Sequence, residues 1–307
     1  MLARFVFEAC GAVDAPALVG ESLDLEAGDG EALRDPLEAL SDQLGAKDRP
    51  HAYPVHEPSG KKAGFGARFD AVWGKIVDRC RSGSSYDAEA LGAVSQTLGA
   101  CARHDVVHCR HAGAAGAMEV GLAVAAAAAA LEAQVASCAA QLEALGGGAK
   151  PKRGSKAEAV RKRKDDLEAS LERLDELGEA IFDDVFCKRY RDVHGRVRVA
   201  VVERLGKWIA ARPAKYLDTR YLKYVAWVLD FPEGSERAAA AGALARAFGA
   251  VDENTREALG DFAARFVPRL AEMAHDADEA AQAAAVGALD ACCLLYTSPS
   301  PRDATLS

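Results

Sequence analysis

The stretch RDVHGRVRVAVVERLGKWI at residues 191–209 begins with a short polar turn around an aspartate and continues as a helix with regularly spaced apolar residues. Two later stretches have the same form, LDFPEGSERAAAAGALARAF at 229–248 and AHDADEAAQAAAVGALDAC at 274–292. One helix of this kind cannot bury its apolar face alone. The three copies therefore predict helix pairs that stack against one another.

The spacing of the three copies indicates the class of repeat. Aligned on Arg198, Arg237 and Gln282, the copies are separated by 39 and 45 residues. Spacings of this size are typical of HEAT and armadillo repeats, in which each repeat is built from two or three helices. The sequence therefore predicts an all-α fold, an α-solenoid of HEAT-like helix pairs.

The composition of the whole chain agrees with an all-α fold. Of its 307 residues 50% are hydrophobic, and many of these are alanine, the strongest helix former. The eight cysteines include no CxxC pair, which is typical of free thiols in a reducing compartment. The net charge is −8, yet residues 150–164 hold eight bases and one acid, and residues 187–223 hold eleven bases and three acids.

Upstream of the repeats, two long helical patterns cover about 107–145 and 156–186, and GGGAKPKRGS at 146–155 separates them. Glycine and proline end helices, so we predict a long antiparallel helical hairpin inserted in the solenoid. The first pattern contains an apolar run at 112–131 that is almost entirely alanine and glycine. Because alanine gains little from lipid, we expect a helix that is soluble and does not enter a membrane.

We divide the chain into four segments. Residues 1–62 are predicted to form an N-terminal helix and an acidic, mobile segment, and residues 63–180 a helical region with the hairpin. Residues 181–292 form the repeats. The last segment, 293–307, contains CLLYTSPSPRD at 293–303, which resembles a translated sequencing adapter. We expect this tail to be an artefact and the chain to be a fragment of a longer protein.

Two local features of the N-terminal half predict helices. In EALRDPLEALSDQL at 31–44 a helix is expected to be interrupted by Pro36, because proline removes a backbone donor. In FGARFDAVWGKIVDRC an apolar stripe at helical spacing is formed by Phe65, Phe69, Val72, Trp73 and Ile76.

The stretch YLDTRYLKYVAWVLDF at 216–231 holds five aromatic residues in a chain that is 7% aromatic. An aromatic stripe at helical spacing is usually core, and core positions are predicted for Tyr216, Val225, Val228 and Phe231. Trp227 differs, because Lys223 lies four residues earlier on the same helix face and lysine is seldom buried without a partner. That face is therefore expected to be partly exposed. Both a core role and a binding role stay open for it.

The basic segments have two interpretations. A charge run is often only a solvated face, but bases on a glycine-rich hairpin tip and at turns between helices also suit the phosphates of duplex DNA, without reading its sequence. The candidate DNA-contacting residues are Lys150, Lys152, Arg153, Lys156, Arg161, Lys162, Arg163, Lys164, Lys188, Arg189, Arg191, Arg196 and Arg198.

Four elements of the repeat region carry a family resemblance: VFCKRYRDV at 185–193, RVRVAVVERLGKW at 196–208, YLKYVAWVL at 221–229 and AGALARAF at 241–248. Together they resemble the stromalin conservative domain of the stromal antigen (STAG) subunit of cohesin. Upstream and downstream segments resemble the same family in the same order, namely FDAVWGKIVDRC, CRHAGAAGAMEVGLAV and RFVPRLAEMAHDADEAAQAAAVGALDA.

The resemblance implies a non-enzymatic, nuclear and chromatin-associated HEAT-repeat scaffold that acts in sister-chromatid cohesion. Its implied partners are the kleisin subunit of cohesin, double-stranded DNA, and cohesin regulators that carry Phe/Tyr-x-Phe motifs. By resemblance, the peptide-binding residues are Tyr221, Lys223, Tyr224, Trp227, Arg265 and Phe266. The turn Asp218-Thr219-Arg220 departs from the family, since it displaces an acid and adds a base.

Other functional classes have weaker support in the sequence. A zinc site is conceivable at Cys101, His104, His108, Cys109 and His111, but an ordinary helix start is the preferred interpretation, and no metal or cofactor is predicted. Neither a P-loop nor a nucleophile elbow occurs, so we expect no enzyme. The alternative to cohesin is a generic HEAT or armadillo scaffold for transport or trafficking.

Overall fold

The computed structural model of the chain describes residues 2–12, 33–45, 53–55, 64–83, 85–145, 156–251 and 256–297. The chain divides into two compact units, Met1–Arg189 and Tyr190–Ser307. The division lies downstream of the boundary that we predict between residues 180 and 181. In the described residues the regular structure is helical apart from one short strand pair, so the all-α fold class is confirmed.

The first unit contains six helices and two strands in its described part. They are α1 (Leu2–Cys10), α2 (Arg34–Gly45), α3 (Phe65–Arg79), β1 (Arg81–Ser82), β2 (Ser85–Tyr86), α4 (Ala88–Arg103), α5 (Val107–Ala144) and α6 (Lys156–Ile181). A π-helical turn, Phe182–Phe186, and a last α-helical turn, Cys187–Arg189, follow α6. The strands pair antiparallel.

Helix α2 corrects one prediction. Pro36 does not interrupt the helix but lies in its first turn. The first four N–H groups of a helix have no acceptor within the helix, so proline costs little there. Leu37 and Leu40 of this helix are buried, and Tyr53 further along is 3% exposed, so these parts of the predicted mobile segment are packed. The rest of that segment lies outside the described residues.

The predicted hairpin is confirmed. Helices α5 and α6 pack along each other, and every residue from 109 to 121 in α5 is buried. Within the described residues α5 is long and apolar enough to cross a bilayer by length and composition, with a mean hydropathy of 1.8 over its most apolar window. Because 67% of that window is buried inside the unit, the hydropathy is explained by a core position.

Small residues let α5 approach its neighbours closely. A Cβ atom on Gly113 would come within 2.7 Å of both the Cys101 Cβ and the Leu98 carbonyl oxygen of α4. Only glycine fits at such a helix crossing without movement of the backbone. The glycine and alanine content of 112–131 therefore serves tight helix packing.

The described part of the second unit contains six helices. They are α7 (Gly195–Ala211), α8 (Pro213–Tyr216), α9 (Thr219–Val228), α10 (Gly234–Gly249), α11 (Arg256–Met273) and α12 (Glu279–Thr297). Helices α7, α10 and α12 pack side by side as one layer. Helix α9 packs against α10, and α11 packs against α12. A Cβ on Gly206 would lie 2.7 Å from Ala243 Cα, so α7 and α10 meet almost backbone to backbone. This is the predicted stack of HEAT-like helix pairs.

Two arginines connect consecutive copies of the repeat. The Nε of Arg198 donates to Glu236 Oε1 at 2.9 Å, and the side chain of Glu236 is 0% exposed. The Nε of Arg237 donates to Asp276 Oδ2 at 2.7 Å, and its Nη1 donates to the carbonyl oxygen of Phe231 at 2.8 Å. Arginine thus occupies equivalent positions in the first two copies and forms an ion pair with the following copy each time.

The third aligned position behaves differently. Gln282 Nε2 donates to the carbonyl oxygen of Ala274 at 2.9 Å, in the turn of its own copy. Arg198 and Arg237 likewise donate to a carbonyl oxygen of the preceding turn, that of Asp192 and that of Phe231. This common contact supports the alignment of the three positions.

Candidate peptide-binding and nucleic-acid-binding surfaces

Three aromatic rings of the second unit form a partly exposed cluster. The ring centroids of Tyr190 and Tyr224 lie 4.9 Å apart at 70°, and those of Tyr224 and Trp227 lie 5.3 Å apart at 78°. Both are edge-to-face arrangements, which aromatic pairs prefer. Trp227 is 51% exposed, and Tyr224 is half-buried. We call Tyr190, Tyr224 and Trp227 the aromatic patch.

Helix α9 presents two of these rings. Its N-terminus is fixed by Asp218, whose Oδ1 accepts a hydrogen bond from the Arg220 N–H at 2.7 Å. One side of α9 is buried, including Leu222 and Val225, so the other side faces solvent. Lys223 lies on that side, with its Nζ 5.0 Å from the Tyr224 ring centroid. The ammonium group and the ring are close enough for a cation–π contact.

Tyr221 is a correction to the predicted peptide-binding set. Its side chain is 3% exposed, and its ring packs edge-on against Tyr216 at 4.9 Å. Tyr221 and Tyr224 are neighbours on the helix surface, but Tyr221 lies at the buried edge of α9 and packs on Tyr216, whereas Tyr224 packs on Tyr190. Tyr221 therefore belongs to the core of the unit. The predicted core positions of Tyr216, Val225 and Val228 are confirmed, while Phe231 is half-buried.

Tyr190 is a member of the patch that the sequence analysis missed. It is 7% exposed, and it contacts both Tyr224 at 4.9 Å and Trp227 at 6.4 Å. The signal was present in the KRYRD motif, where a tyrosine is embedded among bases. Arg191 follows it, with its Cζ 5.5 Å from the Tyr190 ring centroid, so the patch has a cation at this end as well as at Lys223.

The two predicted residues of α11 form a separate cation–aromatic pair. Arg265 is exposed, and its Cζ lies 5.7 Å from the ring centroid of the half-buried Phe266. One turn further along, Arg269 Nη2 donates to the Leu229 carbonyl oxygen at 3.0 Å. This bond attaches α11 to the end of α9, two residues after Trp227. Arg265 and Phe266 therefore belong to the helix that adjoins the patch-bearing helix.

The basic end of α6 is largely exposed. Lys156, Arg161, Lys162 and Arg163 are exposed, whereas Lys164 is paired with Glu168 at 2.5 Å. Val160 is half-buried, and the first fully buried residue of the helix is Leu167. The predicted DNA-contacting residues Lys150, Lys152 and Arg153 lie outside the described residues.

The bases that follow differ in availability. In the first unit, Lys188 pairs with Asp184 at 3.0 Å, and Arg189 is half-buried. In the second unit, Arg191 and Arg196 are exposed. These four residues stay in the predicted DNA-contacting set.

Arg198 is a correction to that set. Its guanidinium is 16% exposed and is held by the buried carboxylate of Glu236. It also donates to the carbonyl oxygen of Asp192. A guanidinium that neutralises a buried acid is not available to a phosphate, so Arg198 has a structural role.

Of the cysteine and histidine residues around 101–111, Cys101, Cys109 and His111 are buried, and His104 and His108 are half-buried. Within the described residues, no group of three or more His, Cys, Asp or Glu side chains has an arrangement that could hold a metal ion. Tyr53 OH is hydrogen-bonded to His111 Nδ1 at 2.7 Å, and its ring stacks on His108 at 4.2 Å. These two histidines therefore contribute to packing around Tyr53.

The sequence of the chain is similar to known proteins. Residues 191–267 match the family described as the stromalin conservative domain. The chain is 34% identical over 134 residues to the sister-chromatid cohesion protein 3 of Arabidopsis thaliana, a match that covers 44% of this chain and 12% of that protein. It is 31% identical over 119 residues to the human cohesin subunit SA-3, covering 39% and 10%. The chain is thus similar to the SA (stromal antigen) subunits of cohesin.

A solved structure agrees with the fold of this chain. The cohesin subunit Scc3 from Z. rouxii matches with a TM-score of 0.67 at 16% identity, covering 97% of this chain and 36% of that one. This likeness concerns the fold alone. The chain spans about a tenth of the length of the two curated relatives named above.

Proposed function

We propose that this chain is part of a cohesin scaffold subunit and that the aromatic patch docks short peptides containing a Phe/Tyr-x-Phe motif. The observation that carries the proposal is the 51% exposure of Trp227, in contact with the rings of Tyr190 and Tyr224. Large aromatic side chains that stay exposed at the centre of a cluster are typical anchors of protein interfaces.

The contacts suggest how a peptide would bind. Its aromatic side chains would pack edge-to-face on Trp227 and Tyr224, which removes apolar area from water and adds the preferred ring geometry. Lys223 would attract the carboxylates or carbonyl oxygens of the peptide, and Arg265 of α11 would do the same from the adjoining helix. Arg220, exposed in the first turn of α9, is a base that the turn of the family lacks. We therefore expect a preference for peptides with acids near the motif.

A fluorescence anisotropy titration tests the docking site. A labelled Phe-x-Phe peptide is titrated with the purified chain, and saturable binding is expected. Trp227→Ala should weaken binding by about 2 kcal/mol, roughly 30-fold in Kd, because the central anchor is lost. Val286→Ala is the matched control, since Val286 is also 51% exposed but lies on α12.

Two outcomes would contradict the proposal. One is absence of saturable binding by a chain with the helical circular dichroism of the native protein. The other is an equal loss of affinity in Trp227→Ala and Val286→Ala, because binding would then not depend on the patch.

A second function, binding of duplex DNA through its backbone, is favoured by the exposed bases of α6. Arg161, Lys162 and Arg163 are three consecutive exposed bases on a helix end without a fully buried residue, so phosphates can approach them from solvent. Each phosphate contact releases counterions, so the affinity should fall steeply with salt and should not depend on base sequence.

The DNA test compares salt dependence in two variants. Replacing Arg161, Lys162 and Arg163 together by alanine should reduce the slope of log K against log salt by about 2 to 3. Lys164→Ala is the control and should change the slope less, because Lys164 is paired with Glu168. Equal slopes for the triple variant and the unmodified chain would remove α6 from the DNA surface.

The proposed role in the cell is that of a nuclear, chromosome-associated scaffold without catalysis, in complex with the kleisin subunit. The support is the similarity to cohesin subunits, which favours cohesin over a transport or trafficking scaffold. Co-purification of a kleisin with the tagged chain from nuclear extract tests the proposal. Recovery of vesicle or transport components without a kleisin would favour the alternative.

A further inference from the structure

Three consecutive residues of the first unit are packed although they belong to no helix or strand. They are Tyr53, Pro54 and Val55, and we call them the strap. Tyr53 is 3% exposed, Pro54 is buried, and Val55 is half-buried. A segment outside regular structure opens more readily than the helices around it. The peptide- and DNA-binding surfaces proposed above do not include the strap.

The tyrosine of the strap packs against two histidines of α5. Its ring stacks on the half-buried His108 with centroids 4.2 Å apart, and it meets the buried His111 edge-on at 5.6 Å and 84°. The Tyr53 hydroxyl is hydrogen-bonded to His111 Nδ1 at 2.7 Å. The two histidines thus contact the face, the edge and the hydroxyl of one ring. Phenylalanine could make the ring contacts but not the hydrogen bond.

The rest of the strap lies against the ends of two other helices. A Cβ atom on Gly11, which follows α1, would lie at contact distance, 3.7 Å, from Pro54 Cδ. A Cβ atom on Gly66, in the first turn of α3, would come within 3.0 Å of the Val55 carbonyl oxygen, so a side chain there would press on the strap backbone. The surface that receives the strap, which we call the strap pocket, is formed by Gly11, Gly66, His108 and His111.

We propose that the strap pocket is a binding site for short peptide segments with a tyrosine followed by a proline, and that the chain's own strap occupies it in cis. The tyrosine supplies the stacking and the hydrogen bond. The proline places an apolar ring against the end of α1, and its restricted backbone lowers the entropy that is lost on binding. A segment of the same chemistry from another molecule binds only when Tyr53 leaves the pocket. The strap therefore regulates access to the site by competition.

A binding experiment in trans tests the proposal. Tyr53→Ala empties the pocket of the full chain, and the ligand is a fluorescein-labelled peptide PHAYPVHEP, residues 50–58. Fluorescence anisotropy should show saturable binding to the variant. Binding to the unmodified chain should be roughly 100-fold weaker, because its own strap competes at a high effective concentration. Phenylalanine in place of the tyrosine of the peptide should weaken binding about tenfold, because the hydrogen bond to His111 Nδ1 is lost.

Two glycine substitutions on α3 locate the binding. In the Tyr53→Ala background, Gly66→Ala should weaken peptide binding about tenfold, because the added methyl group meets the backbone of the bound segment. Gly74→Ala is the matched control. A Cβ atom on Gly74 would have no described atom within 4 Å outside the backbone of its own helix. Both changes replace glycine by a better helix former, so a difference between them reports the pocket.

Circular dichroism shows whether each variant is folded. If Tyr53→Ala has lost the native helical signal, Tyr53→Phe takes its place, because this change weakens the strap and keeps the ring. The peptide should then bind Tyr53→Phe more tightly than it binds the unmodified chain. The proposal is overturned if a folded variant binds no peptide, or if the variant and the unmodified chain bind it equally. It is also overturned if Gly66→Ala and Gly74→Ala have the same affinity.

Discussion

The two units use similar aromatic contacts for different ends. In the first unit, Phe69 and Trp73 lie four residues apart on α3, with ring centroids 5.3 Å apart at 80°, and both are 0% exposed. In the second unit, Tyr224 and Trp227 lie three residues apart on α9, also 5.3 Å apart and at 78°, yet Trp227 is 51% exposed. Ring geometry alone therefore does not distinguish a core cluster from a surface cluster.

The surroundings of the rings make the difference. Phe5 of α1 lies against both Phe69 and Trp73, so a further helix closes the first cluster. In the second unit Lys223 lies beside Tyr224, and a lysine ammonium keeps its side of the helix in water. The second unit relies instead on alanine packing and on the ion pairs of Arg198 and Arg237. The packing of the repeats does not depend on the rings of Tyr224 and Trp227, so these rings can remain on the surface.

The largest effect is expected from Trp73→Ala. Removal of a fully buried indole leaves a cavity and should lower the free energy of unfolding by about 4 kcal/mol. Urea titration followed by circular dichroism measures this, and Trp73→Phe, which keeps a ring, should lose less. A loss below that of Trp227→Ala would contradict the contrast between the two clusters.

Arg198→Ala should have the next largest effect, because it leaves the buried carboxylate of Glu236 without its cation. The expected loss is about 3 kcal/mol in the free energy of unfolding, measured by the same titration. Arg196→Ala is the neighbouring control and should be nearly neutral, since Arg196 is exposed. If Arg198→Ala changed DNA affinity and left stability intact, its structural role would be wrong.

Acid should weaken the second unit through Asp276. The hydrogen bonds from the Arg237 side chain, followed by the one from the Asp278 N–H, lower the pKa of Asp276 from 3.8 to about 2. A lowered pKa means that the stabilisation is complete above the ordinary value and disappears as the pH falls towards 2. Tm measured from pH 6 to 2 should therefore fall more below pH 4 in the unmodified chain than in Asp276→Asn. Parallel curves would rule out this contribution.

The smallest effect on stability is expected from Trp227→Ala. An exposed residue away from the core usually changes the free energy of unfolding by no more than about 0.5 kcal/mol. The same variant is expected to lose peptide binding, so stability and binding separate at this position. A loss of several kcal/mol on urea titration would return Trp227 to the core and remove the docking proposal.

Sequence patterns predicted most of the fold because helical periodicity is a local property. The hairpin and the repeat alignment on Arg198 and Arg237 follow from spacing, and the structure confirms them. The exposure of Trp227 was predictable as well, since Lys223 shares its helix face. These cases need only the order of residues within one helix.

Contacts between distant residues could not be predicted in this way. Arg198 looked like a surface base, because nothing local indicates that Glu236, in the next copy, would be buried beside it. Tyr190 was missed because its ring meets Trp227 only after the chain turns back. Pro36 was misjudged for a simpler reason. The helix begins at Arg34, only two residues before the proline, so Pro36 lies in the first turn and does not break the helix.

The basic end of α6 has a consequence for amide hydrogen exchange. None of residues 156–166 is fully buried, so their helical conformation depends largely on the hydrogen bonds of the helix itself. Their amides should exchange by fraying, while those from Leu167 onward should require separation of the two hairpin helices. A polyanion that binds this end should slow the exchange of the first group alone. Deuterium uptake would then record the footprint of the ligand on the helix, residue by residue, without any mutation.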